Sequence, residues 1–172
     1  LNLVPEFDKR FVLDASAWRQ TLQPRLAAFL SGLPPGDGRL RLAMDTHVTL
    51  AFAAGAVLDT KSGRFVEFLQ RSPRPGVWAP NDQATSPSWP SWEFDETVLD
   101  PNGQGTACAV SITRDTGPMV RLYANEKLRR LRRLLVARLN VQSSQTAIVS
   151  GAHANRLAEA LTERLKNDRE AD

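Results

Sequence analysis

The chain has 172 residues, 42% of them apolar and 24% charged, with a formal net charge of +3. That length suits one compact domain, or two small lobes sharing a core, and that balance excludes wholesale disorder. Cys108 is the only cysteine, so an internal disulfide and a cysteine-rich zinc site are excluded, and a reducing, cytoplasmic setting is expected.

The longest apolar run, Val48 to Leu58, falls far short of the ~20 residues of a membrane span, and no signal peptide is visible. The chain opens on Leu1 rather than methionine, as expected of a fragment excised from a longer protein whose N-terminal part holds the output activity.

Leu3 to Leu13 form a short opening segment. Trp18, Leu22, Leu26, Phe29 and Leu30 then recur at helical spacing, which predicts a helix over Ala15–Leu30 with Asp14 or Ser16 as cap. Pro24 is expected to kink or divide it. After a turn-rich break, Ser31 to Gly38, the alternation of Arg39–Asp45 predicts a strand. Thr46 to about Leu58 follows as a helix, apolar nearly all round and so expected to be buried on most sides. Gly55 within it is expected to mark close packing against sheet or neighbour.

Asp59–Phe65 reads as a turn and Phe65–Gln70 as a strand. The long stretch from Arg71 to Ser91 is rich in proline, serine and tryptophan; an internal loop of that length is usually functional or mobile. Ser91–Asp100 and Thr106–Thr113 are expected strands, the second a central one covered on both faces. A helix begins near Pro118, capped by Asp115 or Thr116, and carries Leu128, Leu131, Leu135 and Leu139 as one stripe with most arginines elsewhere. Gln145–Gly151 is a last buried strand, before a helix over Ala152–Lys166 with Leu157, Leu161 and Leu165 in register. This alternation predicts an α/β class: a Rossmann-like sheet with flanking helices.

In open α/β sheets, ligands settle outside the carboxyl ends of the strands. Three strand-to-helix junctions carry polar groups there: Asp45-Thr46-His47, then Ser111 with Thr113, Arg114 and Asp115, then Ser150 with Gly151, His153 and Asn155. Free N–H groups at a helix start favour anions such as phosphate. Capping alone explains any one junction. Three together, two of them holding the only histidines, favour a site.

The enzyme signatures are missing: no GxGxxG, no GxxxxGK[ST] and no GxSxG occurs. Two histidines without an HExxH context give no metal site. Ser111, His153 and Asp115 assemble a Ser-His-Asp set only on paper. Trp89 and Trp92 are expected to pin the long loop, while Trp78 stands between pinning and stacking on a nucleobase. Glu126–Arg138 holds six basic groups in thirteen residues, which is either a site for an anionic partner or a solvated helix face.

The segments Phe7–Leu30, Leu40–Gln70, Ala109–Thr113 and Ser150–Leu165, with Trp78, resemble a SAVED domain. The most specific parts are an H-x-[ST]-[LI]-A-x-x-x-G run, His47 to Gly55, and a G-x-H-A ending, Gly151 to Ala154. SAVED domains are cyclic-oligonucleotide sensors of bacterial antiphage signalling systems (CBASS). The resemblance implies a CARF-related fold of Rossmann-like lobes, without catalysis or cofactor. It implies binding of a cyclic di-, tri- or larger oligonucleotide, and self-association into oligomers or filaments. A fused effector would thereby be switched on. The chain is short for two complete lobes, so a neighbouring molecule is expected to supply part of the pocket.

On that resemblance, Thr46, His47, Thr113, Arg114, Gly151 and His153 are expected to meet phosphates and riboses. Trp78 would stack on a base, with Lys61 and Arg74 adding charge. Two alternatives stand beside it. One is a CARF-like enzyme that cleaves the cyclic ligand, with His47 or His153 positioning a ribose hydroxyl. The other is a nucleic-acid-binding domain that uses a basic helix over Arg129–Arg138.

Overall fold

The computed structural model describes residues 1–8, 11–12, 14–34, 38–58, 63–128 and 130–170. The chain divides into two compact units, Leu1–Gln70 and Arg71–Asp172.

The first unit opens with a 3-10 turn, Val4–Glu6, and a short antiparallel pair, β1 (Phe7–Asp8) and β2 (Phe11–Val12). Asp14 then caps α1 (Ala15–Ala17), its carboxylate accepting from Ser16 N–H at 2.8 Å and from Ser16 Oγ at 2.6 Å. Pro24 has no N–H, and its ring crowds the carbonyl four residues back. The path accommodates it by widening into a π turn over Trp18–Leu22, closed by Gln23 N–H donating to Trp18 O. Pro24 then lies in the first turn of α2 (Gln23–Ser31). Leu22, Leu26 and Leu30 make the buried stripe of this helical stretch.

β3 (Arg39–Leu42) and β4 (Phe65–Gln70) run parallel with α3 (Val48–Val57) between them, a βαβ unit. On the strand surface, Arg39 and Arg41 grip one oxygen each of the nearly buried Glu67 carboxylate, at 3.1 and 3.0 Å. Leu50 and Ala54 turn α3 into the core beside Leu22, Leu26 and Leu30. The rest of the helix corrects the expectation of burial on most sides. Val48 is 73% and Phe52 82% exposed, because only the stripe through Leu50, Ala53, Ala54 and Val57 meets the core. Gly55 is also corrected: it is exposed, and a Cβ there would meet nothing within 4 Å.

The second unit holds β5 (Gly76–Trp78), a short strand inside the long loop, then β6 (Trp92–Val98), β7 (Thr106–Ser111), α4 (Gly117–Lys127), β8 (Arg133–Leu139) and α5 (Gly151–Glu170). Its sheet has the order β6-β8-β7, with β6 antiparallel and β7 parallel to β8. β7-α4-β8 is thus a second βαβ unit. The class is mixed α/β with small sheets and flanking helices.

β8, not β7, is the central strand, which corrects two expectations. Leu134, Leu135, Val136 and Ala137 are all buried, because helices cover both faces: Leu134 and Val136 pack toward Val120 of α4, and Leu139 toward Leu157 of α5. β7 is an edge strand, with Ala109 and Ser111 buried and Val110 half-exposed. The leucine stripe over Leu128–Leu139 is likewise not helical. α4 stops at Lys127, and Leu135 and Leu139 lie on β8, where pairing on both sides outweighs their helical spacing.

The basic run therefore forms no single helix face. Arg129 lies outside the described residues, Arg133 pairs with Glu96 at 3.2 Å, and Arg138 pairs with Asp95 and Asp115. Residues 145–150 form a turn and an irregular link rather than a strand. Ser144 N–H donates to Ile112 O at 3.1 Å, while Ala147 and Ile148 still reach the core on the α5 side. No helix among the described residues is long and apolar enough to cross a membrane.

Candidate functional site

Each of the three junctions places a polar group on the free N–H groups of a helix start, the third following an irregular link rather than a strand, but the groups differ in charge. At α3 the cap is His47 itself, although Asp45 or Thr46 is the usual cap type. Its Nδ1 accepts from Thr49 N–H at 3.4 Å and lies 2.8 Å from Thr49 Oγ1. The ring stacks on Phe7, centroids 5.9 Å apart. Thr46 beside it is exposed. This helix start is capped by a neutral acceptor.

At α4 the cap is a carboxylate. Gly117 N–H donates to Asp115 Oδ1 at 2.9 Å, and Thr116 N–H donates to the fully buried Ser111 Oγ at 3.0 Å. Arg138 Nε, reaching from β8, lies 3.4 Å from the same Asp115 oxygen. The Gly117 N–H, with Arg138 adding its positive charge, holds the Asp115 carboxyl below its ordinary value of 3.8 despite some loss of solvation. A carboxyl whose pKa is lowered by folding favours the folded state above the ordinary value, and loses that contribution as pH falls through the lowered one. Asp115→Asn is therefore expected to lie a constant interval below the native chain in stability above about pH 5. The gap should close below the ordinary 3.8. Urea unfolding across pH 2–7 measures it; a gap independent of pH would refute the assignment. Thr113 and Arg114, in the link between β7 and α4, are both exposed.

At α5 the anion comes from the long loop. Asp82 Oδ2 accepts from Gly151 N–H at 2.8 Å, and Oδ1 from Ala152 N–H at 2.9 Å. Ser150 Oγ takes His153 N–H at 3.1 Å. His153 is fully buried, and both ring nitrogens are occupied. Nδ1 accepts from Val149 N–H at 3.3 Å, which leaves Nε2–H to donate to Pro90 O at 2.8 Å. Trp89 stacks on the same ring at 5.2 Å, and Trp92 Nε1–H donates to Leu157 O at 2.7 Å, so both tryptophans pin the loop as expected.

Arg74, Trp78, Gly151 and His153 thus come together around the start of α5. Arg74 reaches Val149 O at 3.5 Å, and Trp78 directly precedes Ala79, whose backbone lies against Gly151. Arg74 is exposed and Trp78 half-buried. Thr113 and Arg114 follow the C-terminal end of β7, the same sheet edge from which β8 leads into α5. Thr46 and His47 belong to the other unit, and Lys61 lies outside the described residues. Ser111 Oγ does reach Asp115 at 3.3 Å, but His153 bonds to neither, so no Ser-His-Asp relay forms. A depression of about 320 Å³ lined by Leu99, Asp100, Ala124, Asn125, Leu128 and Leu131 lies at the far end of α4 and includes none of these residues.

The residue that sequence reasoning missed is Asp82. Its signal was faint: a cap-type residue in a Pro-Asn-Asp turn with no helix of its own following.

A family model described as "SMODS-associated and fused to various effectors sensor domain" (SAVED) matches residues 22–171. Over 165 residues the chain is 28% identical to CD-NTase-associated protein 4 of Enterobacter hormaechei subsp. hoffmannii (strain UCI 50), covering 95% of this chain and 32% of that protein. The chain spans about a third of the length of the curated relative it matches.

Proposed function

The chain belongs to the SAVED family of sensor domains, and we propose that it binds a cyclic di-, tri- or larger oligonucleotide as a second messenger in bacterial antiphage defence. The observation that carries this reading is the family match over residues 22–171, which takes in both βαβ units. We read those units, β3-α3-β4 and β7-α4-β8, as the two lobes of a CARF-like, Rossmann-related domain. The bound form self-associates and switches on a fused effector in the cytoplasm. We assign the sensor no catalysis of its own.

The geometry supports a division of labour among the candidate residues. Helix starts attract anions, but those of α4 and α5 already hold the carboxylates of Asp115 and Asp82. The α3 start, capped by neutral His47, is the one suited to a ligand phosphate, with Thr46 beside it. Thr113, Arg114 and Arg74 supply hydroxyl and cationic contacts from exposed positions, Lys61 adds charge, and Trp78 offers a plane for a base. Gly151 and His153 serve as the floor under Arg74 and Trp78. The uncovered apolar faces of α3 (Val48, Phe52) and α4 (Met119, Leu122, Tyr123) support self-association.

Calorimetry against a panel of cyclic di-, tri- and tetranucleotides tests the reading. At least one member is expected to bind with a Kd of about 1 μM or tighter, roughly 8 kcal/mol. His47→Ala and Arg114→Ala are each expected to weaken it about tenfold while the thermal midpoint stays within a few degrees. No binding by any member would sink the reading, and recovery of cleaved ligand after long incubation would replace the sensor with an enzyme.

A further inference from the structure

The loop between β5 and β6 is fastened to the first turn of α5 at both ends. At its near end, one carboxylate gathers three backbone donors from two separate segments. Asp82 takes Gly151 N–H at 2.8 Å, Ala152 N–H at 2.9 Å and Ala79 N–H at 3.4 Å. Ala79 is buried by this, and its backbone approaches so closely that a Cβ on Gly151 would stand 2.6 Å from Ala79 N. At its far end, His153 Nε2–H holds Pro90 O.

Trp78 is the residue next to that pinned point, and Arg74 bonds Val149 O just ahead of Gly151. Trp78 ends a three-residue strand paired at a sheet edge, and the chain directly after it, from Ala79, is irregular. An aromatic plane bordered by irregular chain must be held still when ligand binds, and that ordering costs affinity. A fixed neighbour removes the cost. Asp82 supplies it, with both oxygens turned onto N–H groups.

We propose that Asp82 is a positioning residue, which sets Trp78 for the ligand by pinning Ala79 to the start of α5 without touching the ligand itself. This rests on the reading of the chain as a cyclic-oligonucleotide sensor.

The test is a double-mutant cycle in the full chain, read by calorimetry with the same panel of cyclic di-, tri- and tetranucleotides. Amide exchange at Gly151 and Ala152 reports whether the pin is released. Asp82→Ala is expected to speed that exchange and to weaken binding about tenfold. On a Trp78→Ala background the same substitution should cost little more, because its effect runs through Trp78. An undiminished effect on that background would overturn the proposal, since a merely structural role would persist there. So would native affinity in Asp82→Ala with the pin released, although the sensor reading would stand. Failure of the native chain to bind any member removes the sensor reading and the proposal together. If Asp82→Ala does not fold, Asp82→Asn, which keeps the shape and one acceptor, is read in the same way.

Discussion

His153→Ala is expected to destabilise the chain by about 3–4 kcal/mol, a large part of what holds an ordinary domain folded. The ring is fully buried, so its removal leaves a cavity under Trp89. It also strands two partly buried backbone groups, Val149 N–H and Pro90 O, each of which bonds the imidazole. His47→Ala makes the contrast. That ring caps a helix from a partly exposed position, and its loss should cost only about 1 kcal/mol. Urea unfolding of the two variants side by side decides the matter. Equal, small losses would mean that His153 is not a support and would return it to the ligand-facing set.

The two histidines looked alike in the sequence, each at a polar strand-to-helix junction. What separates them is burial, and burial depends on Pro90 and Trp89, which are distant along the chain. The junctions themselves were legible because helix starts need caps, and cap residues cluster just before an apolar run. Which atom does the capping was less so. His47 displaces Asp45 and Thr46 at α3, and Asp82 arrives at α5 from 69 residues away. No local pattern encodes that second contact.

The same physics explains the misread elements. Leu128, Leu131, Leu135 and Leu139 repeat at helical intervals, yet the contiguous run Leu134-Leu135-Val136-Ala137 fits a strand covered on both faces, and two flanking strands were available to pair with it. In α3 an apolar surface all round predicts burial, whereas Phe52 and Val48 face outward. An all-apolar helix needs cover, and in this chain only one stripe of it is covered.

Glycine substitutions give the sharpest expected contrast, because the general rule and the local geometry predict opposite signs. Glycine to alanine within a helix ordinarily stabilises by about 0.5–1 kcal/mol, through loss of unfolded-state freedom. Gly55→Ala should follow the rule: the position is in the middle of α3, exposed, with nothing within 4 Å of the new methyl. Gly151→Ala should reverse it. There the methyl would fall 2.6 Å from Ala79 N and 2.8 Å from Ala79 C, atoms of backbone that no rotamer change can move aside. Either α5 or the pinned loop must shift, breaking the Asp82 bonds that close the helix start, at a cost of about 3 kcal/mol. Because Ala79 is joined to Trp78, the same shift should weaken ligand binding as well as stability. A Gly151→Ala chain as stable as the native one would show that the loop yields easily, and would leave Trp78 without the rigid footing assigned to it.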